Sequence, residues 1–230
     1  MTAVLFDYGL TLVNFSFPRR ELVEAMGVAR PWLAADLGRP APDPEWIVSH
    51  VLEPMEQRLV GLTTEEPPWI ETYQDGWREA GLEVGRDTLL RVLDLEQSCW
   101  DRAVEVEPGA IPTLRELRRR GVRTGLCSNA PFPPELMRRQ LGGNGLAAEL
   151  DGIVFSADIG RRKPAPEIYA AALAAICSAA SETLFVGDNP AFDHDAPVEL
   201  GMRAVLFSGF RPAPAGYPSI SRLEEVLGLL

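Results

Sequence analysis

From about residue 109 the chain repeats one alternation, a short apolar run followed by a helical pattern, and few architectures accept it. The runs "VRTGLCS", "GIVFSA", "TLFVGD" and "RAVLFS" lack polar alternation, which is how strands covered on both faces read. Between and after them, "PTLRELRRRG", "PPELMRRQLG", "PEIYAAALAAI", "APVELG" and "ISRLEEVLGLL" carry helical spacing. Strands and helices in this order imply an open parallel sheet joined by right-handed crossovers. Residues 3 to 7, opening "AVLFDYGLTLV", add a buried strand at the start of the chain.

The segment between is of another kind. Apolar residues three and four apart predict helices over 19–28, 45–60, 68–80 and 87–103, separated by breaks such as "GRPAPDPEW" and "TTEEPPW". The economical architecture is an α/β sheet domain, residues 1–13 and 105–230, interrupted by an all-helical insert, residues 14–104. Pro18, Pro108 and Pro112 bracket the expected hinges.

The totals are compatible with this. A chain of 230 residues, 46% apolar and 24% charged, has enough core for one domain carrying an insert. Its net charge of −11 argues against nucleic acid as a partner. The cluster Arg118-Arg119-Arg120 with Arg123 reads as the solvated end of a helix, where cations suit the dipole. No apolar run reaches membrane-spanning length, and "MTAVLFDYG" lacks the basic start of an export signal. A soluble, cytoplasmic protein without membrane contact is expected. Cys99, Cys127 and Cys177 form no close pair and read as small core residues rather than a disulfide framework.

In open α/β sheets, ligands gather beyond the carboxyl ends of the strands. Asp7 stands there, and so does Asp188 in "LFVGDNPAFDHD", with Asp193 and Asp195 close behind. An isolated strand-end aspartate is usually a turn or cap residue. Carboxylates converging from two strand ends repel unless a cation lies between them, and hard oxygen donors suit Mg²⁺. Ser128 and Asn129 in "GLCSNA" follow a third strand, where a hydroxyl and backbone N–H groups leading into a helix can cradle phosphate or simply cap the helix. Every basic side chain other than the two histidines is arginine except Lys163. There, beside two arginines, the chain uses a compact ammonium, a point charge able to touch a carboxylate and a phosphoryl oxygen together. His50 reads as packing or surface, and His194 as a residue near the site or turned from it.

Asp7 with Thr11, then Ser128, then Lys163 with Pro164, then "GDNPAFD" together resemble the haloacid dehalogenase-like (HAD) hydrolase superfamily, with a helical (type I) cap inserted after the first motif. The resemblance implies a Rossmann-like core in which Asp7 attacks a phosphoryl group and forms an aspartyl-phosphate. It implies that Ser128, Asn129, Thr11 and Lys163 bind the phosphoryl, that Mg²⁺ is held by Asp7, Asp188 and the backbone carbonyl of Gly9, and that Asp193 supports the metal or the lysine.

The pattern is broken at Gly9, where phosphatases of this superfamily carry a second aspartate that protonates the leaving group and then activates water. Such help is commonly worth about 10²- to 10⁴-fold. A hydrolase of good leaving groups, or one recruiting His194, Tyr8 or a cap residue, fits the chain. So does a slow hydrolase with a persistent phosphoenzyme, or a phosphate-binding regulatory module. A dehalogenase fits less well because "GDNPAFD" keeps its carboxylates, and a cap-lysine Schiff base is excluded because residues 14–104 contain no lysine. The tryptophans of the insert, Trp32, Trp46, Trp69, Trp77 and Trp100, read mainly as its core. Arg19 and Arg20 are open to an anionic substrate group or to solvent. The expected partner is a small phosphorylated substrate, and a homodimer is possible.

Overall fold

The computed structural model describes residues 2–60 and 64–230; the break read in "TTEEPPW" begins outside them. Along the chain the strands are β1 (Ala3–Phe6), β2 (Val13–Phe15), β3 (Val104–Val106), β4 (Arg123–Ser128), β5 (Gly152–Phe155), β6 (Thr183–Gly187), β7 (Arg203–Phe207) and β8 (Ser219–Ile220). The main sheet is six-stranded, in the order β5-β4-β1-β6-β7-β8, and its pairings are parallel. This is the open parallel α/β sheet expected from the alternation, and the Rossmann-like core that the resemblance implied.

β1 lies inside the sheet, between β4 and β6, and every one of its residues is buried. Phe6 is level with Leu126 of β4 on one side and with Val186 of β6 on the other. The chain therefore leaves β1, β4 and β6 at neighbouring points. Side chains alternate across the sheet. Val4 and Phe6 pack into a core with Leu114, Leu117 and Leu126, while Ala3 and Leu5 join Ile168, Tyr169 and Phe185 on the opposite face.

The helices are α1 (Arg19–Leu37), α2 (Pro44–Ile47), α3 (Glu53–Val60), α4 (Trp69–Glu79), α5 (Arg86–Ala103), α6 (Ala110–Arg119), α7 (Pro134–Gly143), α8 (Ser156–Ile159), α9 (Pro166–Ala175) and α10 (Ala196–Glu199). α1 to α5 bury their apolar faces on one another, with Leu22, Met26, Leu33, Tyr73, Trp77 and Leu89 in a core separate from those of the sheet. α2 passes into α3 through a π-helical segment, Val48–Leu52.

The structure departs from the sequence reading in four places. α1 runs nine residues past the expected end at 28 because Pro31 is accommodated within it, and it stops at Gly38 in the left-handed region (φ 64°). The segment read as a final helix is instead β8 followed by a 3-10 turn, Leu223–Gly228. It is too short to gain from α-helical propagation and is held by burying Leu223 and Val226. β2 and β3 were not anticipated. They form an antiparallel ribbon, Val13↔Val106 to Phe15↔Val104, across the expected boundaries at 13/14 and 104/105. Finally, Cys99 and Cys127 are buried, whereas Cys177 is exposed. Among the described residues, no helix is long and apolar enough to cross a membrane.

Candidate active site

The site begins with one buried ammonium. Lys163 Nζ lies 2.7 Å from Asp7 Oδ1 and 2.6 Å from Asp193 Oδ1, with only 2% of its side chain exposed. Burial pulls its pKa down, but the carboxylates of Asp193 and Asp7 outweigh that and hold it well above the ordinary lysine value. The loop that carries it is fixed by Asn129. Lys163 N donates to Asn129 Oδ1 at 2.7 Å, and Asn129 Nδ2 returns a bond to Lys163 O at 3.1 Å. The Asn129 side chain, expected to face phosphate, is thus committed to positioning the lysine.

Asp193 uses both oxygens. Oδ1 takes the lysine, and Oδ2 accepts the N–H groups of Asp188 at 3.0 Å and Asn189 at 2.9 Å. Gly187 makes this possible, since a Cβ there would stand 2.3 Å from Asp193 Cγ. Burial pushes the Asp193 carboxyl up, against the pull of Lys163; its three donors keep it the acceptor of this arrangement.

Asp188 completes a cluster. One oxygen each of Asp7, Asp188 and Asp193 lies within 4.8 Å of the others. Burial, then the charge of Asp7, raises the Asp188 carboxyl, and the Arg211 guanidinium bonded to it works in the opposite direction. The donor chemistry suits Mg²⁺, which takes one or two carboxylates and keeps several waters. Asp193 already accepts from three donors, whereas Asp7 and Asp188 each accept from one side chain, which makes Asp7 and Asp188 the carboxylates better placed to serve. Arg211 was invisible in the sequence, where "SGFRPAPAG" carries no pattern.

Ser128, at the end of β4, and Gly9 face a cavity of about 200 Å³ together with Asn129. Thr11 is fully buried and its hydroxyl has no partner among the described residues. The cavity lies between the sheet and the helical insert. Tyr8, Phe15, Trp100, Phe132 and Met137 give it a largely apolar wall, and Glu56 of α3 and Gln97 of α5 reach it from the insert. Burial raises the Glu56 carboxyl to about 7. The ring of Phe15 covers Gly9, with Cε1 2.9 Å from where a Cβ would stand.

The insert is also tied to the lysine loop. Arg162 Nη1 contacts Glu66 Oε1 at 2.8 Å and Oε2 at 2.6 Å, and Ser156 Oγ donates to the same carboxylate. Backbone bonds Glu66 N to Gly160 O (3.0 Å) and Arg162 N to Thr64 O (2.9 Å) reinforce the joint. Arg19 and Arg20 do not join the site: Arg19 pairs with Glu45 and Glu53, and Arg20 with Glu21, at the surface. Arg118 pairs with Glu149, and Arg119 and Arg120 with Glu116. Trp77 and Trp69 belong to the insert core, whereas Trp100 lines the cavity. His50 stacks on Trp46 at a centroid distance of 4.5 Å.

The model of the haloacid dehalogenase-like hydrolases matches residues 1–201. The chain belongs to that family. Relatives include a phosphoserine phosphatase of Thermus thermophilus, 38% identical over 129 residues (54% of this chain, 51% of the relative). Another is a phosphonoacetaldehyde hydrolase of Bordetella avium, 31% identical over 172 residues (72% of this chain, 56% of the relative). These matches span about half the length of either relative. Among solved HAD-like structures, a 2-haloacid dehalogenase from Pseudomonas syringae pv. Tomato superposes with a TM-score of 0.67 at 23% identity, over 100% of this chain and 97% of that one. A HAD phosphatase from Thermococcus onnurineus gives 0.66 at 20% identity, over 100% and 97%. At such identities the likeness concerns the fold.

Proposed function

We propose that this protein is a Mg²⁺-dependent phosphatase of a small phosphorylated metabolite, working through an aspartyl-phosphate on Asp7. The observation that carries the reading is the buried chain Asp7, Lys163, Asp193 at the carboxyl ends of β1 and β6. A carboxylate nucleophile can meet a phosphate dianion only if the charge of both is compensated. The phosphatase and hydrolase names of its relatives support the same class of reaction.

In this reading Asp7 attacks phosphorus with the oxygen that Lys163 leaves free. Lys163 binds a phosphoryl oxygen while holding Asp7 in place, and Asp193 fixes Lys163. Ser128 and the backbone N–H of Asn129 contact the remaining phosphoryl oxygens; the next N–H, that of Ala130, is already given to Ser156 Oγ. Asp7, Asp188 and the carbonyl of Gly9 would hold Mg²⁺, whose charge, when bound, neutralises the phosphoryl oxygens. The helical insert closes the cavity and keeps bulk water out. The Schiff-base route of a phosphonate-cleaving enzyme is not available, because Lys163 is the sole lysine and is bound to two carboxylates.

The test is phosphate release from a panel of sugar, acyl, enol and aryl phosphates, with Mg²⁺ and with EDTA, alongside acid-quench detection of phosphorylated Asp7. Release that requires Mg²⁺ and vanishes in Asp7→Asn is the expected outcome. Release that persists in Asp7→Asn removes the nucleophile and with it this reading.

A further inference from the structure

Position 9 leaves one duty open, the proton for the leaving group and the base for water, and the cavity offers few groups to fill it. Tyr8 is committed elsewhere: its hydroxyl donates to Gln140 Oε1 at 2.9 Å and accepts from Asn144 at 3.0 Å. Burial raises its pKa further from use. His194 Nδ1 lies 2.9 Å from Asp195, and its ring packs edge-on to Tyr217; it is not among the residues lining the cavity. Arg162 is held by Glu66.

Glu56 is different. It lines the same cavity as Gly9, Ser128 and Asn129, and its carboxyl has no hydrogen bond or ion pair among the described residues. We propose that Glu56 is the general acid-base of this site, delivered by the helical insert in place of the carboxylate missing at position 9, for phosphates whose leaving group is compact and largely apolar. The inference rests on the phosphatase reading above.

Asp7 forms its bond to phosphorus as the bond from phosphorus to the leaving oxygen breaks, and that oxygen takes the proton of the Glu56 carboxyl. The alcohol departs, leaving Glu56 ionised. A water then occupies the vacated side, gives its proton to Glu56 and attacks phosphorus; the bond from phosphorus to Asp7 breaks, and phosphate and the starting protonation states are restored. Because displacement is in line, leaving group and water use the same side of the phosphoryl group, so one residue serves both halves.

The surroundings agree. Groups facing Glu56 are Glu96 of α5, whose charge and that of Glu56 oppose each other, Tyr73 of α4, which donates to Glu96, and Arg162 and Tyr8 across the cavity. Burial among them holds the Glu56 carboxyl at about 7, where acid and base forms are both available at neutral pH. Phe15, Trp100 and Phe132 present hydrocarbon to whatever leaves, which selects against polyhydroxylated leaving groups.

Glu56→Gln is the test, with phenyl phosphate, whose leaving group needs a proton, set against 2,4-dinitrophenyl phosphate, whose leaving group departs as an anion. The variant is expected to phosphorylate Asp7 from phenyl phosphate about 10²- to 10⁴-fold more slowly. From the dinitrophenyl ester, phosphorylation should be nearly unchanged, giving a burst of dinitrophenolate followed by slow turnover. The limb of the kcat/KM profile near pH 7 should disappear, and Glu56→Asp should recover part of the phenyl phosphate rate. If Glu56→Gln does not fold, Glu56→Asp carries the same comparison with a smaller selective loss. Equal losses on both esters, or no loss, with the pH limb retained, overturn the assignment of Glu56 alone. A wild-type protein that never phosphorylates Asp7 from any ester overturns the phosphatase reading itself, and this inference falls with it.

Discussion

The ring of Phe15 occupies the space above Gly9: Cε1 stands 2.9 Å from the position of a Cβ, and the ring packs edge-on against Trp100 at 6.2 Å. The glycine and the ring are therefore linked, and a carboxylate at position 9 needs the ring to move. Gly9→Asp alone should bring little gain in turnover of alkyl phosphates. Gly9→Asp with Phe15→Ala should bring a larger one, on the order of tenfold or more if acid-base help is what limits the rate. Steady-state phosphate release from both variants checks this, and equal rates would mean that the ring does not govern access to position 9.

Lys163 is the least replaceable side chain of the site. Its side chain is 2% exposed and it faces two carboxylates, so Lys163→Met leaves Asp7 and Asp193 buried without their cation. Removing one partner of a buried ion pair costs about 3–5 kcal/mol. Urea unfolding should register a loss of that order, together with loss of Asp7 phosphorylation. Lys163→Arg should not rescue activity, since a planar guanidinium does not fit the place of a point charge.

Gly187 controls the seat of Asp193. A methyl group there would lie 2.3 Å from Asp193 Cγ, so Gly187→Ala must push the carboxylate off the N–H groups of Asp188 and Asn189 and away from Lys163. Overpacking of this kind costs about 1–3 kcal/mol. Far-ultraviolet circular dichroism should be unchanged while kcat falls steeply, because the damage is local to the end of β6. Full activity in Gly187→Ala would show that the position of Asp193 is unimportant.

The interior of the insert makes stability depend on pH. Burial raises the Glu96 carboxyl to about 8; Tyr73, which donates to it, works against that, and the charge of Glu56 adds to it. The folded protein thus keeps a proton that the unfolded chain gives up at the ordinary carboxylate value, so stability should fall as pH rises from about 5 to about 8. Glu96→Gln keeps an acceptor for Tyr73 and removes the titration. It should flatten the decline and raise Tm at pH 8, by roughly 2–4 °C for each kcal/mol recovered. Thermal melts across this range decide it; parallel slopes in wild type and variant would contradict the buried carboxyl.

The parts of the fold legible in the sequence are those set by local pattern. Apolar runs of strand length between amphipathic helices required a parallel sheet, and they put Ser128 at a strand end and Asp7 and Asp188 just beyond theirs. A lone lysine in a chain otherwise built on arginine marked Lys163. The ribbon of β2 and β3 leaves no signal in the sequence because "VNF" and "VEV" are three residues each, too short to show a period. The 3-10 turn at Leu223–Gly228 shares its apolar spacing with a helix, and only the packing at the chain's end separates the two.

What the sequence by itself determined, then, is the α/β sheet, the helical insert and the strand-end acids, because periodicity and turn chemistry are properties of neighbouring residues. Tertiary structure alone decided that Asn129 clamps the lysine loop, that Arg211 meets Asp188, that Phe15 shields Gly9 and that Glu56 and Trp100 turn toward the cavity while Trp77 turns inward. Apolar spacing says that a helix face is covered; which residues it meets depends on how separate segments of the chain cross, and no local pattern records that.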